Sequence, residues 1–175
     1  MHMKITELKV KLSGKTREEL LALICQLYRN SKQCQGILDM EFGGQDARNE
    51  VLNKCKEQIK HFFQLEYYSL RSAKKVISDF KKTKPDMQAY ADLLLYYVEC
   101  GLDFTNTYGD IDETFYNSVE NVFAKFVEIL NMQEDASLYL FFQERIEVAR
   151  NNWQHIGWGF TDEMDELHRE INWPV

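Results

Sequence analysis

The sequence has little of the material that strands, tight turns and disulfide frameworks require. Its 175 residues include only two prolines and eight glycines, the residues that most often punctuate β-structure. The four cysteines show neither a C-x-x-C pair nor the spacing of metal ligands. We therefore expect reduced side chains that pack as small apolar groups: Cys25, Cys34, Cys55 and Cys100.

Long hydrophobic runs are also missing. No stretch approaches the roughly 18 apolar residues that a membrane span needs, and residues 1–12 lack the apolar core of a signal peptide. We expect a cytoplasmic protein that does not enter a membrane.

The common signatures of catalytic and cofactor sites are absent too. The sequence contains no G-x-x-x-x-G-K-[ST] or G-x-G-x-x-G loop, no G-x-S-x-G elbow and no H-E-x-x-H helix. It therefore predicts no cofactor and no metal, identifies no catalytic residue, and disfavours an enzyme without excluding one.

What the sequence does contain is helical periodicity. Apolar residues recur at spacings of three and four in successive segments, and no segment alternates long enough to indicate a strand. Thr16 and Glu19 form a capping-box pattern before an apolar stripe made of Leu20, Leu23, Ile24, Leu27 and Tyr28. The segment that follows Asp86 is apolar on nearly every side, which is typical of a central helix. We predict a single all-α domain over residues 1–175, with seven to nine helices.

Two arrangements of these helices remain open. Helix starts at Asp86, Asp110 and Glu134 are evenly spaced, which is consistent with a short, solenoid-like array of α-hairpins. An irregular helical bundle would produce the same set of helices.

Charge is divided along the chain. Residues 1–85 carry 17 Lys and Arg against 10 Asp and Glu, whereas residues 86–175 carry 4 against 18. The formal charges of the halves, +7 and −14, add up to the overall −7. Such a division predicts a surface with a basic and an acidic side, which steers oppositely charged partners towards each side.

The first candidate site begins in an acidic turn, residues 103–113. Three carboxylates within four residues are suited to a hard cation, but Asp and Glu at these positions are also typical of helix caps, and we favour the caps. The candidate residues are Asp103, Asn106, Tyr108, Asp110, Asp112 and Glu113.

The same candidate site continues in an aromatic elbow, residues 153–162. Large rings between two glycines can line a recess in which His155 acts as acid, base or ligand. Alternatively, the rings plug the end of the core, and we favour this structural role. The candidate residues are Trp153, His155, Trp158, Phe160 and Asp162. The sequence leaves open whether the elbow and the acidic turn form one pocket.

The second candidate site is a basic patch along the predicted helix 70–84. A row of cations can neutralise phosphates of RNA or DNA, although an ordinary solvated helix face has the same composition. The residues of the basic patch are Arg71, Lys74, Lys75, Lys81, Lys82 and Lys84.

Several segments give the chain a resemblance to a family of uncharacterised bacterial all-helical proteins. They include the stretches Tyr-Gly-Asp-Ile-Asp-Glu at 108–113 and Ile-Gly-Trp-Gly-Phe at 156–160, and the resemblance is most specific between residues 70 and 162. It implies a bacterial, cytoplasmic, all-helical domain, and it supplies no activity or site residue.

Three functions follow as hypotheses. The leading one is a non-enzymatic module that binds a protein partner or a second copy of itself through its charge-segregated surface. The first alternative is binding to a nucleic-acid backbone through the basic helix 70–84. The second alternative is a small-molecule or metal-dependent enzyme that uses the 103–113 turn and the 153–162 elbow.

Overall fold

The computed structural model describes residues 3–64, 66 and 68–173, and in this part of the chain the fold is all-α, as predicted. The described residues form nine helices and no strand: α1 (Ile5–Ser13), α2 (Arg17–Asn30), α3 (Lys32–Phe42), α4 (Gln45–Phe63), α5 (Leu70–Lys82), α6 (Met87–Tyr108), α7 (Glu113–Asn131), α8 (Ser137–Trp153) and α9 (Phe160–Arg169).

Local capping rules explain where several of these helices begin. Thr16 and Glu19 form the predicted capping box of α2, and the Asp86 carboxylate accepts the Ala89 amide hydrogen at 2.7 Å to start α6. α6 ends at Gly109, whose φ of +86° suits glycine.

Two helix starts differ from the sequence prediction. α7 begins at Glu113 with Asp112 as its cap instead of at Asp110, and α8 begins at Ser137 instead of Glu134. The starts of α6, α7 and α8 are still 26 and 24 residues apart, so their spacing alone does not distinguish a bundle from an array.

α6 lies at the centre of the fold. It packs against α4, α5, α7 and α8, while α9 covers α7 and α8. Side chains on nearly every side of α6 are buried, among them Leu93, Leu95, Tyr97 and Val98. A helix that is surrounded in this way belongs to a bundle and not to a linear array.

The contact between α6 and α7 is unusually close at Gly101. A Cβ atom added to Gly101 would lie only 2.7 Å from Cγ2 of Val119, which is fully buried. Near it, the buried hydroxyl groups of Tyr97 and Ser118 lie 2.7 Å apart and satisfy each other. Close helix approach at this point depends on the missing side chain.

The N-terminal helices lie outside the central bundle. α2 packs on α3 and α3 packs on α4, but neither α1 nor α2 contains a buried residue. We call residues 3–30, which comprise α1 and α2, the N-terminal arm.

We predict opposite effects for the same substitution at two helical glycines. Gly101→Ala should lower the free energy of unfolding by about 1 kcal/mol or more, because overpacking against Val119 outweighs the gain in helix propensity. Gly36→Ala in α3 is the matched control. Its Cβ would meet Thr83 Cγ2 at an ordinary 3.8 Å, so propensity should raise stability by up to about 1 kcal/mol. Urea denaturation measures both, and equal effects would contradict the close approach.

Candidate functional site

The acidic turn contains a helix cap and a hydrogen-bond cluster. Asp112 accepts the Phe115 amide hydrogen at 2.8 Å and the Tyr68 hydroxyl hydrogen at 3.1 Å. The Tyr116 hydroxyl lies 2.9 Å from the Thr105 hydroxyl oxygen and accepts the amide hydrogen of residue 111 at 3.2 Å. These contacts hold the turn in place at the junction of α6 and α7.

The aromatic elbow is held by buried rings and by hydrogen bonds from the Trp153 indole and the Thr161 hydroxyl. Trp153 is fully buried and its indole N–H donates to Asp165 at 3.0 Å, which holds the pKa of this carboxyl below its usual range. The Thr161 hydroxyl lies 2.6 Å from the Trp153 carbonyl oxygen and 2.9 Å from that of Ile156. The elbow thus closes the end of α8 on the start of α9.

The acidic turn and the aromatic elbow lie against each other. The Asn106 side-chain amide donates to the Asn152 carbonyl oxygen at 3.2 Å, and the rings of Tyr116 and Phe160 have centroids 4.9 Å apart. A Cβ on Gly157 would lie 3.8 Å from a carboxylate oxygen of Asp110. Sequence patterns could not predict this contact, because the two segments are about 50 residues apart in the chain.

The candidate residues of these two segments divide into buried and exposed groups. Trp153 and Phe160 are core side chains, which removes them from any surface recess. Trp158 is 68% exposed and has a left-handed backbone with φ of +63°, which is uncommon outside glycine. The remaining exposed candidates are Asp103, Asn106, Tyr108, Asp110, Asp112, Glu113, His155 and Asp162.

An open groove of about 530 Å³ begins beside the junction of turn and elbow and runs between α4, α6 and α8. Asp103, Tyr108 and Asn152 line one end, and Cys100 lies in its wall. Burial raises the pKa of the Cys100 thiol to about 12 and that of Tyr96 to about 12. Both groups are therefore protonated at neutral pH, and the thiol is a poor nucleophile.

This protonation predicts a selective thiol reactivity. In the folded protein at about pH 7.5, iodoacetamide should modify the exposed Cys25 while Cys100 stays unmodified, because the thiolate is the reactive form. Urea-unfolded protein, in which all four thiols react, is the control. Mass spectrometry of the peptides gives the result, and rapid native alkylation of Cys100 would contradict the described burial.

A charged cluster links α4, α6 and α8, and one of its members, Glu99, lines this groove. Arg145 donates two hydrogen bonds of 2.8 Å to Glu99 and one of 2.6 Å to Asp92, which also binds Lys56 at 2.8 Å. Burial alone would lower the pKa of Arg145, but these hydrogen bonds outweigh it and the pKa is raised. The bidentate geometry favours a structural role, since three of the five guanidinium N–H groups donate to protein carboxylates.

We predict that removal of Arg145 is costly, whereas removal of a similar residue one turn later is not. Arg145→Ala should lower the free energy of unfolding by about 2 kcal/mol, because it leaves Asp92 and Glu99 half-buried with fewer partners. Arg150→Ala is the control on the same helix. Its contact to Asp165 is 3.8 Å, too long for a hydrogen bond, and its side chain is 43% exposed, so a change below about 0.5 kcal/mol is expected by urea denaturation. Equal losses would show that the cluster does not stabilise the fold.

The basic patch is partly neutralised within its own helix. Asp79 binds both Lys75 and Lys82, and these hydrogen bonds lower the pKa of the Asp79 carboxyl. The Lys81 ammonium lies 5.3 Å from the centre of the Tyr90 ring. All six cations of the patch are exposed, and Arg71, Lys74 and Lys84 take part in no ion pair within the described residues.

Few of the described ion pairs join the basic half of the chain to its acidic half in the folded molecule. Within residues 3–64, 66 and 68–173, the pair of Lys56 and Asp92 is the one ion pair that joins the basic half to the acidic half. The other pairs that involve Lys or Arg stay within a half: Lys15–Glu19, Lys54–Glu50, Lys75–Asp79 and Lys82–Asp79 in the first, and Arg145–Asp92, Arg145–Glu99 and Arg150–Asp165 in the second.

The most distinctive surface feature was not among the candidate sites derived from sequence. The apolar stripe of α2, which has the pattern of a core-facing helix, is only partly covered by α3. Leu20 is half-buried, and the other four side chains of the stripe are between 39% and 47% exposed: Leu23, Ile24, Leu27 and Tyr28. Periodicity identifies such a stripe, but it carries no information on what covers it.

Two further features of the described residues bear on function. They contain no group of three His, Cys, Asp or Glu side chains arranged to hold a metal ion. None of the described helices is long and apolar enough to span a membrane.

Comparison with known proteins does not assign a family, because no family model, no curated protein and no solved structure matches the chain. The resemblance to a bacterial helical family stays a prediction. The functional argument therefore rests on the contacts and charges described above.

Proposed function

We propose that the chain is a non-enzymatic protein-binding module of the cytoplasm, and that its N-terminal arm docks on a partner surface in which carboxylates alternate with apolar side chains. The observation that carries the proposal is the half-exposed apolar stripe of α2, which lies in a basic segment of the chain.

The apolar stripe supplies the driving force for docking. Its side chains are roughly half exposed, so covering them would contribute about 1 kcal/mol each. α1 adds further apolar surface, since Ile5 is 70% and Val10 is 73% exposed. On α2 the half-exposed apolar side chains share one helix face, and an exposed apolar stripe of this kind is typical of an interaction site.

The charge of the arm determines which partner surface fits. Six cations oppose three carboxylates along the arm: Lys4, Lys9, Lys11, Lys15, Arg17 and Arg29 against Glu7, Glu18 and Glu19. Among the described residues, the only ion pair of these six cations is that of Lys15 with Glu19. An acidic partner would be steered towards the arm, and a basic one repelled.

The alternatives receive less support. A nucleic-acid backbone needs cations but has no use for the apolar stripe, and Asp79 already occupies two cations of the basic patch. An enzyme would need reactive groups, whereas Asp112 acts as a cap and the Cys100 thiol is protonated. Docking on a protein partner uses both the apolar stripe and the cations of the arm.

The proposal predicts protein adducts from one face of α2. A photo-crosslinking amino acid at Leu27, in the apolar stripe, should form adducts in cells that express the chain. Mass spectrometry should identify the linked peptides as surface segments rich in Asp and Glu. The same amino acid at Ala22, which is exposed on the opposite face, is the control and should form few adducts.

Three results would contradict the proposal. They are the absence of adducts at Leu27, equal labelling at Ala22, and adducts to RNA or DNA in place of protein. The last result would favour the nucleic-acid alternative instead.

A further inference from the structure

We infer that the surface covered by the N-terminal arm is the outer face of α8 in a second copy of this chain. The inference rests on the proposed function and names the partner. The outer face of α8 is defined by Leu140, Phe141, Glu144, Glu147 and Val148, all of which are exposed.

The outer face of α8 has the composition that the arm requires. Leu140, Phe141 and Val148 are 53%, 58% and 55% exposed, although large apolar side chains of a helix usually turn towards the core. Glu144 lies between Leu140 and Val148 at intervals of four residues, so the three follow one row along the helix. Apolar and acidic side chains therefore alternate on this face.

The arm presents the opposite pattern. On α1, residues 5, 8, 9 and 12 share one helix face, where Lys9 stands beside Ile5, Leu8 and Leu12. Neither Lys9 on the arm nor Glu144 on α8 takes part in an ion pair within the described residues. Basic and acidic charges set among apolar side chains are thus available on two separate surfaces of one chain.

Charge favours α8 over a second arm as the occupant. Two arms in contact would bring together two segments that each carry six cations against three carboxylates. Residues 137–170 carry seven carboxylates against three arginines, so the contact of an arm with α8 and α9 brings opposite charges together. Contact between two arms would place like charges opposite each other, and this repulsion disfavours that arrangement.

Within the described residues of one copy, α2 packs on α3, whereas α8 packs on α6 and α9, so no close packing joins α2 to α8. When two copies exchange arms, each arm covers the α8 face of the other, and the assembly closes as a symmetric dimer. A one-way contact would instead leave one arm and one α8 face uncovered.

Reciprocal charge reversal tests this contact. Analytical ultracentrifugation of the unmodified full chain should show a concentration-dependent dimer. The arm variant Lys9→Glu with Lys11→Glu, and the α8 variant Glu144→Lys with Glu147→Lys, should each weaken dimerisation by roughly tenfold or more. An equimolar mixture of the two variants should form heterodimers, because each mismatched surface then meets its complement.

A matched control holds the number of changed charges constant. Arg71→Glu with Lys74→Glu reverses two exposed cations of α5, away from both surfaces, and should leave dimerisation unchanged. Circular dichroism checks that every variant keeps its helices.

The outcomes separate this inference from the proposed function. A monomer at every concentration, a dimer that ignores the reversals, or an assembly larger than a dimer would overturn the inference. If the chain is monomeric and the Leu27 crosslinks identify another acidic protein, the proposed function stands and only the second copy is excluded. A monomeric chain without adducts at Leu27 would overturn both.

Discussion

A helix that is apolar on nearly every side has to be covered on every side, and this requirement organises the fold. α6 meets it by taking neighbours from both halves of the chain, α4 and α5 from the basic half and α7 and α8 from the acidic half. The absence of a side chain at Gly101 lets α7 come close enough to bury Val119 completely. The N-terminal arm contributes no buried residue to this core, and the α2 stripe stays half-exposed.

The same arrangement keeps the charges apart. The core is apolar and its few polar groups satisfy each other, so the basic and acidic side chains are distributed over the outside. Lys56 and Asp92 join the two halves through one ion pair, which is tied into the Arg145 cluster. Elsewhere the described ion pairs stay within a half. In the self-association that we propose, a basic surface of one copy would meet an acidic surface of the other.

Local patterns in the sequence predicted the helices, but contacts between residues far apart in the chain could not be predicted from it. The caps at Thr16 and Asp86 and the stop at Gly109 depend on residues within one or two turns, so their patterns are readable in the chain. The Arg145 cluster joins residues 46 and 53 positions apart, and no periodicity reports such a pairing. For the same reason the sequence identified the α2 stripe without its exposure, and the turn and the elbow without the contact between them.

Amide hydrogen exchange at two protein concentrations tests the central claim most directly. The claim is that the arm of one copy docks on the outer face of α8 in a second copy. The account predicts that residues 17–30 and 137–153 exchange faster in dilute than in concentrated solution, and that both segments change together while α6 stays equally protected. Exchange in both segments that does not depend on concentration, or a change confined to one of them, would contradict it.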